Sequence, residues 1–168
     1  MTTAAIRIQP ATEQDVPQIL RFIKGLAEYE KLADHVVATE EGLRTSLFGP
    51  RPAAQVLIAY TGDTPAGFAL FFHNYSTFLG QPGIYLEDLF VVPEHRGAGI
   101  GRALLAHLAS LAVERGCGRL EWAVLDWNAP AIGFYRTLGA TPMEEWTIFR
   151  LTGAPLAALA KDPHGVAR

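Results

Sequence analysis

The sequence is poor in cysteine, with Cys117 as the single one among 168 residues. An internal disulfide is therefore excluded, and this is typical of proteins from a reducing compartment. Its apolar runs are far shorter than the roughly 20 residues of a membrane-spanning helix, and the first residues lack the pattern of a signal peptide. We therefore expect a cytoplasmic protein that does not associate with a membrane.

The chain also lacks an excess of positive charge, since 14 Lys and Arg face 17 Asp and Glu, for a net charge of −3. Nucleic-acid binding depends on clustered basic side chains, so we expect no nucleic-acid partner. A mildly acidic surface suits a cationic small substrate. The five histidines show no paired spacing typical of metal ligands, so no metal site is predicted.

The composition is that of a globular protein, with 49% hydrophobic and 18% charged residues. Neither an internal repeat nor a low-complexity linker interrupts the chain. A length of 168 residues is enough to bury one hydrophobic core. We predict a single domain over residues 1–168, with its core at about 6–151.

Hydrophobic periodicity predicts the element order β-α-α-β-β-β-α-β-α-β. The predicted strands are 6–8, 55–60, 66–75, 84–92, 120–125 and 147–151. The predicted helices follow Thr12 and Thr39 as N-caps, span 100–114 and 129–138, and end with a short one near 155–161. Antiparallel strands followed by β-α-β-α units predict a mixed α/β fold with a mixed sheet and helices on both faces.

The most informative segment joins the fourth strand to the following helix. Gly97, Gly99 and Gly101 alternate there after Arg96. Glycines permit positive φ and close approach of a ligand to the backbone, and amides at a helix N-terminus bind phosphate groups. Arg96 and Arg102 would add charge-assisted hydrogen bonds.

Other interpretations of this loop fit less well. A dinucleotide-binding fingerprint needs a glycine where Arg102 stands, and a P-loop needs a lysine that the segment lacks. A purely structural turn accounts for one or two glycines, but three alternate glycines after an arginine favour a phosphate site.

Arg96-x-x-Gly99-x-Gly101 resembles the motif with which GNAT acetyltransferases bind the pyrophosphate of acetyl-CoA. Further segments are similar to the diamine and polyamine acetyltransferase branch: Tyr85–Val91, Leu26–Lys31, Val124–Asn128 and Phe134–Tyr135. Within that branch, Glu28–Leu32 and Val124–Asn128 are most similar to the thialysine N-epsilon-acetyltransferase type. The resemblance covers roughly residues 6–149. It implies the GNAT fold, with a mostly antiparallel sheet, and acetyl-CoA-dependent N-acetylation of a small-molecule amine by a homodimer.

The resemblance also implies how acetyl-CoA is bound. The strand before the loop offers backbone groups to pantetheine, and one of its N–H groups donates to the oxyanion that forms when the amine attacks the thioester. The loop binds the diphosphate, and the start of a later helix reaches the cofactor. The implied residues are Leu89, Phe90, Val91, Arg96, Gly97, Ala98, Gly99, Ile100, Gly101, Arg102, Asn128, Ala129, Pro130 and Tyr135. From the residues alone, Asn128 is equally natural as an N-cap before Pro130.

By resemblance, Tyr135 is the general acid beside the sulfur of CoA. A phenol of pKa about 10 is protonated at neutral pH and can donate a proton to a thiolate of pKa about 8.5. The sequence alone leaves open that Phe134 and Tyr135 are an aromatic core pair.

Four residues are implied in amine binding: Tyr29, Glu30, Glu87 and Asp88. Glu87 is the residue implied to contact the amine and relay its proton, while Asp88 is a second candidate. Neighbours in a regular strand point to opposite faces, so only one acid can face the substrate unless the strand is bulged. Ordinary roles stay open for all four: a solvated, capping or salt-bridged side chain for the acids and a half-buried ring for Tyr29.

The sequence departs from the polyamine enzymes in two places. Where those enzymes carry acids just beyond the first helix, this chain has Ala33 and keeps an acid only at Asp34, and in the substrate loop Phe78 replaces a tryptophan. A short amine or an amino-acid-like molecule is therefore favoured over a long polyamine. Two alternative functions stay open, a protein N-terminal or lysine acetyltransferase and a non-catalytic acyl-CoA sensor, although Tyr135 favours an enzyme.

Overall fold

A computed structural model describes residues 5–162 of the chain. Its strands are β1 (Ile6–Pro10), β2 (Gln55–Thr61), β3 (Thr64–Ser76), β4 (Gln81–Val91) and β5 (Leu120–Trp122). Its α-helices are α1 (Val16–Tyr29), α2 (Glu40–Phe48), α3 (Ile100–Glu114), α4 (Ala129–Thr137) and α5 (Gly153–Leu159).

The five strands form one sheet in the order β1-β2-β3-β4-β5. The first three pairings are antiparallel and β4 pairs with β5 in parallel. A tight turn joins β2 to β3, where Gly62 has a φ of 61°. The crossover from β4 to β5 passes through α3, as a parallel pair requires. The predicted mixed, mostly antiparallel sheet is confirmed.

The sheet is covered by helices on both faces. Val56 and Ile58 of β2 pack into a buried cluster with residues of α1 and α2, including Phe22 and Leu47. Successive side chains of a strand point to opposite faces, so the equally buried Leu57 belongs to the other face. That face is covered by α3, which contacts all five strands. Each large apolar side chain buried in these layers stabilises the fold by about 1.5–3 kcal/mol.

The starts of the first two helices follow from local hydrogen bonds. The backbone N–H of Thr12 donates to the Asp15 carboxylate at 2.7 Å, which stabilises a short 3-10 turn over Glu13–Asp15. This turn delays the start of α1 to Val16. The Thr39 hydroxyl accepts a hydrogen bond from Gly42 N–H at 3.1 Å, so Thr39 is the N-cap of α2 as predicted.

Two strand predictions need correction. Residues 147–151 are not a strand, and Ile148 and Phe149 are 75% and 91% exposed. β5 ends at Trp122 and not at Leu125. Apolar and β-branched side chains favour an extended chain, but a strand also needs a partner for its backbone groups. Within the described residues, 147–151 is paired with no other strand.

The chain divides into two compact units, the first ending at Leu125 and the second beginning at Asp126. The whole sheet lies in the first unit, whereas α4 and α5 lie in the second. The organisation as a single domain stays a prediction. Within residues 5–162, no helix combines the length and apolarity that a membrane span requires.

Candidate active site

The edge of β4 becomes free along its C-terminal half. β5 pairs with β4 only from Ile84 to Leu86, whereas β3 pairs with β4 as far as Val91. The N–H of Val92 donates to Ala66 O on the β3 side at 3.0 Å. Backbone groups alternate in direction along a strand, so those of Val91 and Leu89 point to the open side. Among the described residues, no strand occupies that side next to them.

A bulge in β4 coincides with the point where β5 ends. Asp88 lies opposite Leu70 of β3, but Leu86 lies opposite the next residue, Phe71, so Glu87 is an extra residue. Leu86 and Asp88 therefore face opposite sides of the sheet, although residues two apart normally share a face. Asp88 shares the α1 face with Phe90, which packs in the α1 and α2 cluster. From the sequence, both neighbouring acids could face the substrate only if the strand were bulged. β4 contains such a bulge.

Two neighbouring carboxylates act on a third carboxyl group near this bulge. Burial, the charge of Glu87 and the charge of Glu30 together raise the pKa of Asp88 to about 6. Burial also raises the pKa of Glu30, which caps the C-terminus of α1. Carboxylates brought together in this way favour a cation between them, because a positive charge relieves their mutual repulsion.

The loop after β4 has the backbone that its glycines predict. Gly97 and Gly99 have φ values of 80° and 84°, which is the left-handed region. A Cβ on either glycine would meet no atom within 4 Å, so the space beside both is open. Gly99 is the N-cap of α3, and Ala103 N–H donates to its carbonyl at 2.9 Å.

The first hydrogen bond within α3 is donated by the amide of Ala103. The preceding amides therefore have no acceptor within the helix, and they are those of Ile100, Gly101 and Arg102. No side chain from the described part of the chain caps this N-terminus. Amides at the positive end of a long helix form a site for an anion, because the helix dipole favours negative charge there.

The Arg96 side chain turns back from the loop towards the sheet. Its Nε–H donates to the carbonyl of Val91 at 3.0 Å. Its guanidinium carbon lies 4.7 Å from the centre of the Tyr29 ring and 5.7 Å from that of Phe90. Arg96 thus connects the open edge of β4 to the end of α1, a connection that the sequence did not predict.

The end of α1 is a tight and strained turn. Lys31 N–H donates to Glu28 O at 3.1 Å and Leu32 N–H donates to Ala27 O at 2.8 Å, which is a Schellman motif. Lys31 occupies its left-handed position with a φ of 62°, and it is the only non-glycine residue with positive φ in the described chain. Sequence reasoning missed this role because glycine, not lysine, signals such a turn.

Close packing also fixes Phe90 beneath this turn. A Cβ on Gly25 of α1 would lie 2.8 Å from the Phe90 ring. The same ring contacts Phe22 edge to face, with 6.4 Å between centres. The absence of a side chain at position 25 therefore lets α1 approach β4, and it brings Tyr29 and Glu30 to the bulged strand.

The remaining predicted residues belong to the second unit. Asn128 is buried, and its side-chain oxygen accepts a hydrogen bond from Ala131 N–H at 3.3 Å. It is thus the N-cap of α4, whose first residues are Ala129 and Pro130. Tyr135 lies on the same helix, half-buried, with its ring centre 5.5 Å from that of Phe134. The N-cap role of Asn128, left open by the sequence, is confirmed.

Comparisons with known proteins agree with this architecture. The profile of the Acetyltransferase (GNAT) family matches residues 23–140. A thialysine N-epsilon-acetyltransferase from Sus scrofa is 42% identical over 168 residues, covering 94% of this chain and 98% of the relative. An L-ornithine N5-acetyltransferase from Arabidopsis thaliana is 36% identical over 200 residues, covering 92% of this chain and 88% of the relative.

A solved structure gives the same result for the fold. An integron cassette protein from V. cholerae matches with a TM-score of 0.78 at 30% identity, covering 93% of this chain and 98% of that protein. The family profile spans well over half of this chain, and it includes the open strand edge and the glycine loop. The chain therefore belongs to the acetyltransferase (GNAT) family and is an acetyl-CoA-dependent N-acetyltransferase.

Proposed function

We propose that this enzyme acetylates a primary amine of a small diamine or of a basic amino acid similar to thialysine or ornithine. The observation that carries the proposal is the group of Glu30, Glu87 and Asp88 beside the bulge of β4. Glu87 and Asp88 directly precede the open strand edge and the glycine loop in sequence, and Glu30 follows Tyr29, over whose ring Arg96 of that loop lies. The names of the relatives from Sus scrofa and Arabidopsis thaliana support the same substrate class.

The carboxylates attract and orient the amine. With a pKa of about 6, Asp88 is ionised at pH 7.5 and pairs with an ammonium group. It is also a stronger base than an ordinary carboxylate, so it can accept the proton that the amine must lose before attack. Glu87, which is exposed beside it, can pass that proton to water. Glu30 supplies a third negative charge for a second amino group.

The residues of the first unit fit acetyl-CoA. The open edge offers the N–H and C=O of Leu89 and the N–H of Val91 to the two amides of pantetheine, in the manner of an added strand, while the Val91 carbonyl accepts from Arg96. One of these N–H groups can donate to the carbonyl oxygen as negative charge develops. The amides from Gly97 to Arg102 are suited to the diphosphate, and the Arg102 side chain, which is exposed, adds positive charge.

Tyr135 completes the proposed chemistry. Acetyl-CoA supplies the acetyl group and a thiol leaving group. The nitrogen of the amine forms a bond to the acetyl carbon, the carbon–sulfur bond breaks, and the Tyr135 phenol gives its proton to the departing sulfur. The ammonium group loses two protons on its way to the amide: one passes to solvent through the carboxylates, and the other restores the Tyr135 phenol by way of water. Proton transfer by a general acid typically contributes about 10²–10⁴-fold to the rate.

We also propose a cytoplasmic homodimer. Ile148 and Phe149 carry exposed apolar side chains in the single chain, and neighbouring apolar side chains at a surface are typical of an interface. The single cysteine agrees with a reducing compartment. Light scattering coupled to gel filtration measures the mass in solution, and a monomer at micromolar concentration would contradict the dimer.

A steady-state assay tests the proposed substrate class. Acetyl-CoA is supplied with thialysine, ornithine, short diamines, spermine, and peptides that carry a free N-terminus or a lysine. The highest kcat/KM is expected for a short diamine or a basic amino acid. A preference for peptides would favour protein acetylation instead. Binding of acetyl-CoA without turnover of any amine would identify a sensor.

A further inference from the structure

The Arg96 side chain joins two parts of the site that bind different substrates. Arg96 itself belongs to the glycine loop, yet its Nε–H donates to Val91 O on the open edge and its guanidinium lies over the Tyr29 ring. A side chain that pointed into the loop would be available to the diphosphate. This one instead lies against the end of α1.

The end of α1 needs such an anchor. Its last turn carries Tyr29 and Glu30, and it closes through Lys31 in a left-handed conformation that is strained for a residue with a Cβ. Strained turns persist only where the surrounding structure holds them. Contact with Arg96 is one such restraint, and Glu30 is the next residue along this turn.

We propose that Arg96 is a positioning residue that couples coenzyme binding to amine binding. When the glycine loop is occupied, its backbone is fixed, and Arg96 then holds the Tyr29–Glu30 turn against Asp88. The amine consequently binds more tightly to the complex with CoA than to the free enzyme, and CoA binds more tightly when the amine is present, because linkage is reciprocal. This inference rests on the proposed amine site.

The expected size of the coupling follows from the contact. Arg96 and Tyr29 are both exposed, and a cation–π contact at an exposed site is worth about 0.5–1 kcal/mol, or roughly a two- to fivefold change in affinity. CoA without its acetyl group forms a dead-end complex with the amine, so the coupling can be measured without turnover.

Calorimetry on the intact enzyme provides the test. The Kd of thialysine, or of the best acceptor in the amine panel, is measured with and without saturating CoA, and the ratio of the two values is the coupling. We expect a ratio of roughly two to five for the wild type and about one for Arg96→Gln and for Tyr29→Leu. The double variant should equal the single ones, whereas Tyr29→Phe, which keeps the ring, should retain the coupling.

Each other outcome overturns the inference. A wild-type ratio of one, an unchanged ratio in Arg96→Gln, or additive effects in the double variant would show that Arg96 does not act through Tyr29. A loss of CoA affinity of about tenfold or more in Arg96→Gln without the amine would make Arg96 a phosphate ligand instead. If Arg96→Gln does not fold, Arg96→Met replaces it under the same criteria, since methionine has neither a positive charge for the Tyr29 ring nor an N–H donor for Val91. Failure of the wild type to bind CoA at all would instead reject the proposed function.

Discussion

The carboxyl group of Asp88 on β4 lies within the electrostatic influence of Glu30 at the end of α1. Two acids from distant parts of the sequence therefore share one site. No positively charged side chain is among the groups that shift the pKa of Asp88. The pair is most stable when one acid is protonated or when a cationic ligand arrives.

Amine affinity should depend on pH through Asp88. Its pKa of about 6 means that the carboxylate forms as the pH rises from 5 to 7. Primary amines remain protonated over that range, so the amine Kd should fall with rising pH and level off above 7. Asp88→Asn should remove this dependence and weaken binding by about tenfold or more. Calorimetry between pH 5 and 8 measures both effects.

Glu87→Gln is the control for that titration. The charge of Glu87 helps to raise the pKa of Asp88, so removing it should move the midpoint to lower pH without abolishing it. A midpoint that stays near 6 in Asp88→Asn would assign the titration to another group.

Asp88 should also lower the stability of the folded enzyme at neutral pH. The pKa of Asp88 is raised by folding, so the folded state holds a proton that the unfolded state releases between about pH 4 and 6. Stability from this group is thus fully present below pH 4 and is lost as the pH rises towards 6. Asp88→Asn should raise the free energy of unfolding at pH 7.5, by at most about 3 kcal/mol, and much less at pH 4. Urea unfolding at both pH values measures this, and an equal effect at both would contradict it.

Gly99→Val should abolish tight CoA binding. Valine at a φ of 84° is strained, and its side chain would occupy the open space beside the loop. Gly62→Val is a matched control, because Gly62 also has a positive φ and no atom within 4 Å of its Cβ position, but it lies in the β2–β3 turn. Both variants should lose stability, and only Gly99→Val should lose CoA affinity. Equal CoA affinity in the two folded variants would show that the loop does not bind the coenzyme.

Tyr135→Phe should lower kcat by at least about 10²-fold, because the variant cannot donate a proton to the sulfur. The ring remains, so the Kd of acetyl-CoA should change little. Phe134→Leu is the comparison on the same helix, since it removes the neighbouring ring and keeps the phenol. Unchanged turnover in Tyr135→Phe would exclude this tyrosine as the acid.

Lys31→Gly should stabilise the protein by about 0.5–1 kcal/mol, since glycine adopts the left-handed conformation without strain. Lys31→Ala is the matched control, because alanine also lacks the lysine side chain but keeps the strain. Thermal unfolding should give a higher Tm for the glycine variant than for the alanine variant. The reverse order would mean that the turn stores no strain at this residue.

Much of the fold follows from local patterns in the sequence. α3 was predicted with its observed bounds, and α2 with its N-cap, because both have clear start signals and an apolar face. The strand predicted over 147–151 was wrong because its apolar pattern carries no information about a pairing partner. The 3-10 turn before α1 was also missed, since Thr12 marks the start of the turn and not of the α-helix.

The candidate site was predictable where glycine spacing specifies the backbone. Gly97 and Gly99 have the left-handed conformations that the loop requires. The contact of Arg96 with Tyr29 was not predictable, because it joins residues that are far apart in sequence through side-chain direction alone. The raised pKa of Asp88 depends on burial and on Glu30, and neither can be read from the strand itself.

The extra residue at Glu87 reverses the face of the sheet to which the following side chains of β4 point. Before it, Ile84 and Leu86 fill the layer beneath α3, and after it Phe90 fills the layer beneath α1. One strand therefore contributes to two separate cores. Loss of a single residue at this point would exchange the layers and direct Phe90 away from Gly25, so a deletion at Glu87 should disturb the fold far more than a substitution there.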